Sequence, residues 1–336
     1  MSRSVASSSG MFTRFVVAGL MACGLFCFPA GQPALAVGDG PPATVSPARL
    51  MADVDALVDF GTRHSLSETN VHTADWLADR FQAVGCDEVT LHDFRIGPRT
   101  RHNVVATIRG TDRPEEFVLV GAHYDSRNAQ IADAEGLAPG ANDNASGTAA
   151  LLELARAMAL DPPARSVRLL AFSGEEQGLL GSRAYAKTCR DENIAIVLMI
   201  NLDMIGHPMD EARRALIVEH DPGLRSPAND APSLAWANRL KTHVAAAGLE
   251  PVSGIMYGSD YMPFEANGVV CVGLFDGADE ADFYHDKADT PDKVDANYCA
   301  SATAAALALI REAADPAFEI DANAAAASVN EALSPP

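Results

Sequence analysis

Two histidines, two aspartates and a pair of adjacent glutamates stand where apolar runs of this chain end or helices begin: His123, Asp143, Glu175, Glu176, Asp203 and His285. Imidazoles and carboxylates are the donor types that zinc and similar divalent ions take. Calcium and magnesium prefer oxygen alone, so the two histidines count against them. Five of the six residues suffice for two ions about 3.5–4 Å apart that share one carboxylate and one water. We take Asp143 as the shared carboxylate, with His123 and Asp203 on one ion and Glu176 and His285 on the other. Two such charges acidify the water and polarise a substrate carbonyl. Glu175 is then free to carry the water's proton to a leaving group, a role that typically contributes about 100- to 10,000-fold. Asp125, two residues after His123, is expected to accept the ring's other N–H and set its tautomer. Zinc is the expected metal, with manganese or cobalt as substitutes.

Such a set works only if the fold delivers it to one place. Continuous apolar runs at 117–122, 167–172, 196–200 and 269–275 read as strands covered on both faces. Alternating segments at 89–94 and 104–108 and a short run at 216–218 add further strands. Helical spacing marks 50–60, 71–84, 145–160, 179–187, 234–247 and 297–313. Strands alternating with helices predict an α/β fold, a three-layer α/β/α sandwich on a mostly parallel, mixed central sheet. His123 and Asp125, the glutamate pair and Asp203 each follow a different strand. Ligands bind beyond the carboxyl ends of strands in open α/β sheets, so the expected donors converge on one side.

The chain has 336 residues, 48% apolar and 21% charged, ample for a core. Residues 1–36 carry Arg3 and Arg14 but no acid, then an apolar stretch from Phe15 to Phe28, then Ala34-Leu35-Ala36. This is the pattern of a secretory signal cleaved after Ala36, too short to span a membrane. Leu20-Met21-Ala22-Cys23 offers a second outcome, lipid anchoring at Cys23. A flexible lead-in is expected over 37–45, one enzymatic domain over 46–320 and a low-complexity tail over 321–336. The net charge of −20 grows more negative once the leader is removed. That balance excludes nucleic acid and anionic membrane as partners, since both need basic patches. Cys86, Cys189, Cys271 and Cys299 remain after the leader, widely spaced and with no pairing implied.

The chain lacks an HEXXH helix, a GxGxxG turn, a Walker loop and a GxSxG elbow. Instead, His123-Tyr124-Asp125-Ser126, Gly140 to Gly147 (GANDNASG) and Ser173 to Ser182 (SGEEQGLLGS) occur in order. Asn201 to Gly206 (NLDMIG) and Tyr284 to Thr290 (YHDKADT) follow. Together these motifs, spanning about residues 46–315, resemble the secreted co-catalytic di-zinc aminopeptidases, zinc exopeptidases whose relatives include glutamate carboxypeptidases and glutaminyl cyclases. The resemblance implies metal positions at His123, Asp143, Glu176, Asp203 and His285 and an acid/base at Glu175. It also implies a cis peptide between Asp143 and Asn144.

Tyr257, Ser259 and Asp260 resemble that family's substrate-side turn, although Tyr261 stands where the usual pattern has histidine. Tyr257 is expected to bind the substrate backbone. Met204 and Phe264 are candidates for a side-chain pocket, and an acidic cluster of Glu176, Asp279, Glu280 and Asp282 for the substrate amine. His207 is a secondary candidate.

The function expected is removal of single residues from peptides with a free N-terminus. Glutaminyl cyclase is the rival within the fold, but its relatives carry an insertion where Gln177-Gly178-Leu179-Leu180 here joins the glutamates directly to Gly181-Ser182. Carboxypeptidase-type cleavage and an inert binding domain of the same fold are two further rivals.

Overall fold

The structure, a computed structural model, describes residues 44–318 and residue 320. The expected leader, most of the lead-in and the 321–336 tail lie outside those residues.

Among the described residues eight strands form one sheet: β1 (Glu88–Ile96), β2 (Arg99–Ile108), β3 (Arg113–His123), β4 (Arg165–Phe172), β5 (Ala195–Leu202), β6 (Ala215–His220), β7 (Glu250–Ile255) and β8 (Cys271–Phe275). Their spatial order is β1-β2-β4-β3-β5-β8-β6-β7. The central four, β4-β3-β5-β8, run parallel. β1 and β2 form an antiparallel hairpin, β2 meets β4 antiparallel, and β6 meets β8 antiparallel. The sheet is mixed, as expected.

Helices α1 (Pro47–Val58), α2 (Glu68–Ala83), α3 (Gly147–Leu160), α5 (Asp230–Ala246) and α7 (Ala296–Ala314) cover one face. The other face carries α4 (Leu180–Asp191) and the single turn α6 (Met262–Glu265). Strand alternation divides the core between them. On β3, Val118, Val120 and Ala122 pack on the five-helix side, and Phe117 and Leu119 pack against α4 and α6. Three helices begin at side-chain caps: Ser46 accepts from the Arg49 amide, Ser67 from that of Asn70, and Asp295 from those of Asn297 and Tyr298. A buried charge network staples three helices: Arg156 of α3 donates to Asp53 of α1 at 2.8 Å and to Glu153 at 2.9 Å. Arg80 of α2 and Arg49 of α1 complete it on the same two carboxylates.

β7 is a strand that the sequence pattern does not announce. Pro251 and Gly254 break its periodicity, yet β7 is an edge strand, where a missing N–H costs little.

The topology sets the site. From β3 the chain crosses through α3 to β4 on one side, then through α4 to β5 on the other. The direction of winding therefore reverses at β3, and a crevice opens beyond its carboxyl end. His123 is the last residue of β3.

Candidate active site

Sheet register aligns the first donors. His123 pairs with Phe172 of β4, and Gly121 pairs with Asn201 of β5. Asp203, two residues past Asn201, thus stands level with His123, and His123 Nε2 lies 3.1 Å from Asp203 Oδ1. The Thr148 hydroxyl donates to the His123 carbonyl at 2.8 Å and fixes the strand exit against α3.

Asp143 lies in the kinked turn Ala141–Ser146 that leads into α3, and its peptide bond to Asn144 is cis. The Asn142 and Asp143 amides donate to the two oxygens of Asp289, each at 2.9 Å. The Asn144 side chain donates to the Leu202 carbonyl at 2.9 Å and accepts from the Met204 amide at 3.1 Å. One side chain thereby ties the Asp143 turn to the exit of β5.

His285 reaches the same point from the loop after β8. Its Nε2 is 3.0 Å from Asp143 Oδ2 and 3.2 Å from Glu176 Oε2. Asp143 Oδ1, in turn, faces His123 Nε2 at 3.3 Å. The two oxygens of Asp143 are divided between the two imidazoles.

The structure brings all five expected donors together and sets Glu175 in the wall of the cavity they face. It revises three other expectations. The His123 Nδ1 partner is the backbone carbonyl of Asp125 at 3.1 Å, with the carboxylate more distant at 3.7 Å. That carboxylate instead faces the Glu175 and Glu176 amides, at 3.3 and 3.4 Å. Asp260 is wholly buried and does not line the cavity, whereas Ser259 does and donates to Asp203 Oδ2. Phe264 packs in the core against Phe172 and Tyr185, leaving Met204 as the pocket residue of that pair.

Tyr257 lines the cavity, half exposed, its phenol donating to Asp279 Oδ2 at 2.8 Å. Asp279 lines it too, while Glu280 and Asp282 are exposed outside it. The His207 ring bonds the Lys293 carbonyl at 2.7 Å, away from the cavity.

Several supporting residues were invisible to motif reading. Arg63 is fully buried and donates to the carbonyls of Tyr124, Leu57, Pro139 and Gly140, bracing both loops that carry the site. Arg127 donates to Glu176 Oε2 at 2.7 Å. Asp276 accepts from the Gly206, His207 and Ala278 amides and from Asn142.

The electrostatics are those of imidazoles and carboxylates crowded together. Burial disfavours a charged His123, but Asp203 and Asp143 outweigh it and hold the ring well above its ordinary pKa. His285 is likewise penalised by burial, yet its bonds to Asp143 and Glu176 lift it to about 9. Asp143 is held below the usual carboxylate range because both rings outweigh its burial. Burial raises Glu175 well above its ordinary value; His123 opposes this, and Glu176, Asp203 and Asp260 reinforce it. Burial likewise pushes Glu219, deeper in the cavity, up to about 8.

Donors of His123, Asp143 and Glu176 lie within 4.8 Å of one another. The buried Glu176 Oε1 has no hydrogen-bond partner. A mixed imidazole–carboxylate set with an orphaned buried oxygen fits a divalent ion in the zinc class.

The sequence model of peptidase family M28 matches residues 103–310. The chain belongs to peptidase family M28. It is therefore a member of a family of zinc metallopeptidases, hydrolases that act on peptides.

A probable zinc metalloprotease of Pyricularia oryzae is 41% identical over 180 residues, 48% of this chain and 36% of that protein. One from Pyrenophora tritici-repentis is 38% identical over 187 residues, 50% of this chain and 43% of its own length. The matched stretch is thus less than half of either relative.

Among solved structures, a zinc aminopeptidase of Bacillus subtilis superposes with a TM-score of 0.70 at 17% identity, covering 84% of this chain and 98% of that one. The LapA aminopeptidase of Legionella pneumophila gives 0.68 at 20%, covering 82% and 73%. A glutaminyl cyclase of Bacteroides thetaiotaomicron gives 0.66 at 19%, covering 81% and 99%. At these identities the likeness is one of fold. Among the described residues no helix is long and apolar enough to cross a membrane.

Proposed function

We propose that this M28 chain is a di-zinc aminopeptidase, acting on peptides with a free N-terminus after export directed by its 1–36 leader. The observation that carries the two-ion reading is the division of Asp143, Oδ1 toward His123 and Oδ2 toward His285. A carboxylate with one oxygen toward each imidazole suits a pair of ions. His123 and Asp203 would hold one ion, Glu176 and His285 the other, with Asp143 between them. Zinc, when bound, acidifies water and polarises the scissile carbonyl.

The chain's own residues supply the rest. Glu175, raised in pKa by its setting, accepts a proton at its carboxylate and delivers it to the nitrogen of the leaving amine. Asp125 steadies the paired glutamates through their amides. Tyr257 is placed to bind the substrate backbone.

Amino-end recognition is supported by the charge of the cavity. Among the described residues it is lined by Asp143, Glu175, Asp203, Glu219 and Asp279 and by no lysine or arginine. Such a wall suits an ammonium and offers nothing to a peptide's terminal carboxylate.

The test is mass spectrometry of a mixed peptide library incubated with zinc-loaded protein, with and without chelator. Chelator-sensitive loss of single residues from amino ends is expected. Loss from carboxyl ends, loss of ammonia alone, or no change would each refute the proposal, in favour of a carboxypeptidase, a cyclase or a binding domain respectively.

A further inference from the structure

One buried carboxylate in the cavity wall neither holds an ion nor moves a proton in the reading above. Glu219, on β6, is 3% exposed and lines the cavity with Met204, Tyr257, Tyr261 and Phe275. Its two cross-strand neighbours are both glycines, Gly273 of β8 and Gly254 of β7. A Cβ on Gly273 would come within 2.4 Å of Glu219 Oε2. Glycine weakens a strand interior and often marks a place kept clear for another group. Over Gly273 lie the Glu219 carboxylate and the Tyr261 ring, and over Gly254 lies Ile217, so the missing side chains let the carboxylate lie close against the sheet at the cavity wall.

The acid also lacks a countercharge. The groups acting on Glu219 are the Tyr261 phenol and the like charges of Asp203 and Asp279, with no cation among them. A carboxylate on a sheet usually finds an opposite charge across the strand, and an isolated buried one is costly unless paired. Asp279, the other acid there, is more exposed.

We propose that Glu219 is a specificity residue that selects peptides beginning with a basic side chain, lysine or arginine, whose charge it pairs. This rests on the aminopeptidase reading, in which the first residue's side chain enters the cavity. The aliphatic stem would lie along Met204 and Phe275, as lysine stems do on apolar walls, and the ammonium or guanidinium would meet the Glu219 carboxylate where it lines the cavity.

The test is calorimetric titration of the zinc-loaded full chain with lysinamide and with norleucinamide, which differ at the side-chain terminus by ammonium against methyl. Lysinamide should bind at least tenfold more tightly, and Glu219→Gln should shrink that ratio to within about threefold. Equal binding of the two amides by the wild type, or tighter binding of norleucinamide, would overturn the proposal without recourse to any variant. So would a ratio that survives Glu219→Gln, or a uniform loss of both affinities, the sign of a structural or α-amine role. Lysyl- and leucyl-anilides then separate this idea from the one beneath it. Release from neither, with tight lysinamide binding intact, would sink the aminopeptidase reading and leave the pocket's preference standing.

Discussion

Glu175→Gln keeps the shape of a side chain in the cavity wall and removes only its capacity to accept and return a proton. Because the five clustered donors are untouched, zinc content measured by atomic absorption should stay at the wild-type level while kcat falls at least about 100-fold. Retained turnover would remove Glu175 from the mechanism. This residue and the five expected donors stood out in the chain because each sits in a compact motif, at a strand exit, at a helix entrance or in the loop after β8. Arg63, Arg127 and Asp276 could not. Arg63 matters because it touches four carbonyls of three separate segments, a fact that exists only after folding. Asp125 shows the converse: its position beside His123 was plain, but its carboxylate turns to the glutamate amides across the crevice.

Elements hold these residues in place, and α1, α2 and α3 are held to one another by charge. Arg156 alone bonds both buried carboxylates, Asp53 and Glu153. Arg156→Met preserves much of the apolar stem but leaves each acid short of a donor. Denaturant unfolding should show a loss of about 2–4 kcal/mol, and a loss under about 0.5 kcal/mol would show the network to be ornamental. The strands that carry donors, β3, β4 and β5, were legible as apolar runs because both their faces are covered. β7 was not, since an edge strand needs neither a continuous apolar run nor every N–H. The uneven cover, five helices against two, was also hidden, because helical spacing shows that a helix has an inner face and not which side of the sheet it will choose.

On the proposed two-ion reading, protons and zinc compete for the same rings across the whole molecule. His285 is lifted from 6.5 to about 9. Its pairing with Asp143 and Glu176 therefore stabilises the metal-free fold fully below about pH 6.5, and that contribution is lost as pH rises through about 9. Zinc must displace the same proton, so its affinity should climb by about tenfold or more per pH unit between pH 6 and 8. Thermal melts would show both slopes: the chelated protein weakening from pH 7 to 9, the zinc-loaded protein not. With zinc at about 1,000 times its Kd the gap is ~4 kcal/mol, on the order of 10 °C for a chain of this size. Parallel melting curves across that range would refute the linkage.

The spread of the donors along the polypeptide also sets a timetable. Roughly 160 residues separate His123 from His285, which at the ~5–20 residues per second of synthesis is a wait of ~8–30 s. A chain emerging amino end first therefore exposes His123, Asp143 and Glu176 to passing ions well before the last imidazole arrives. A chain cut short before the loop after β8 would lack His285, one of the five donors proposed for the centre.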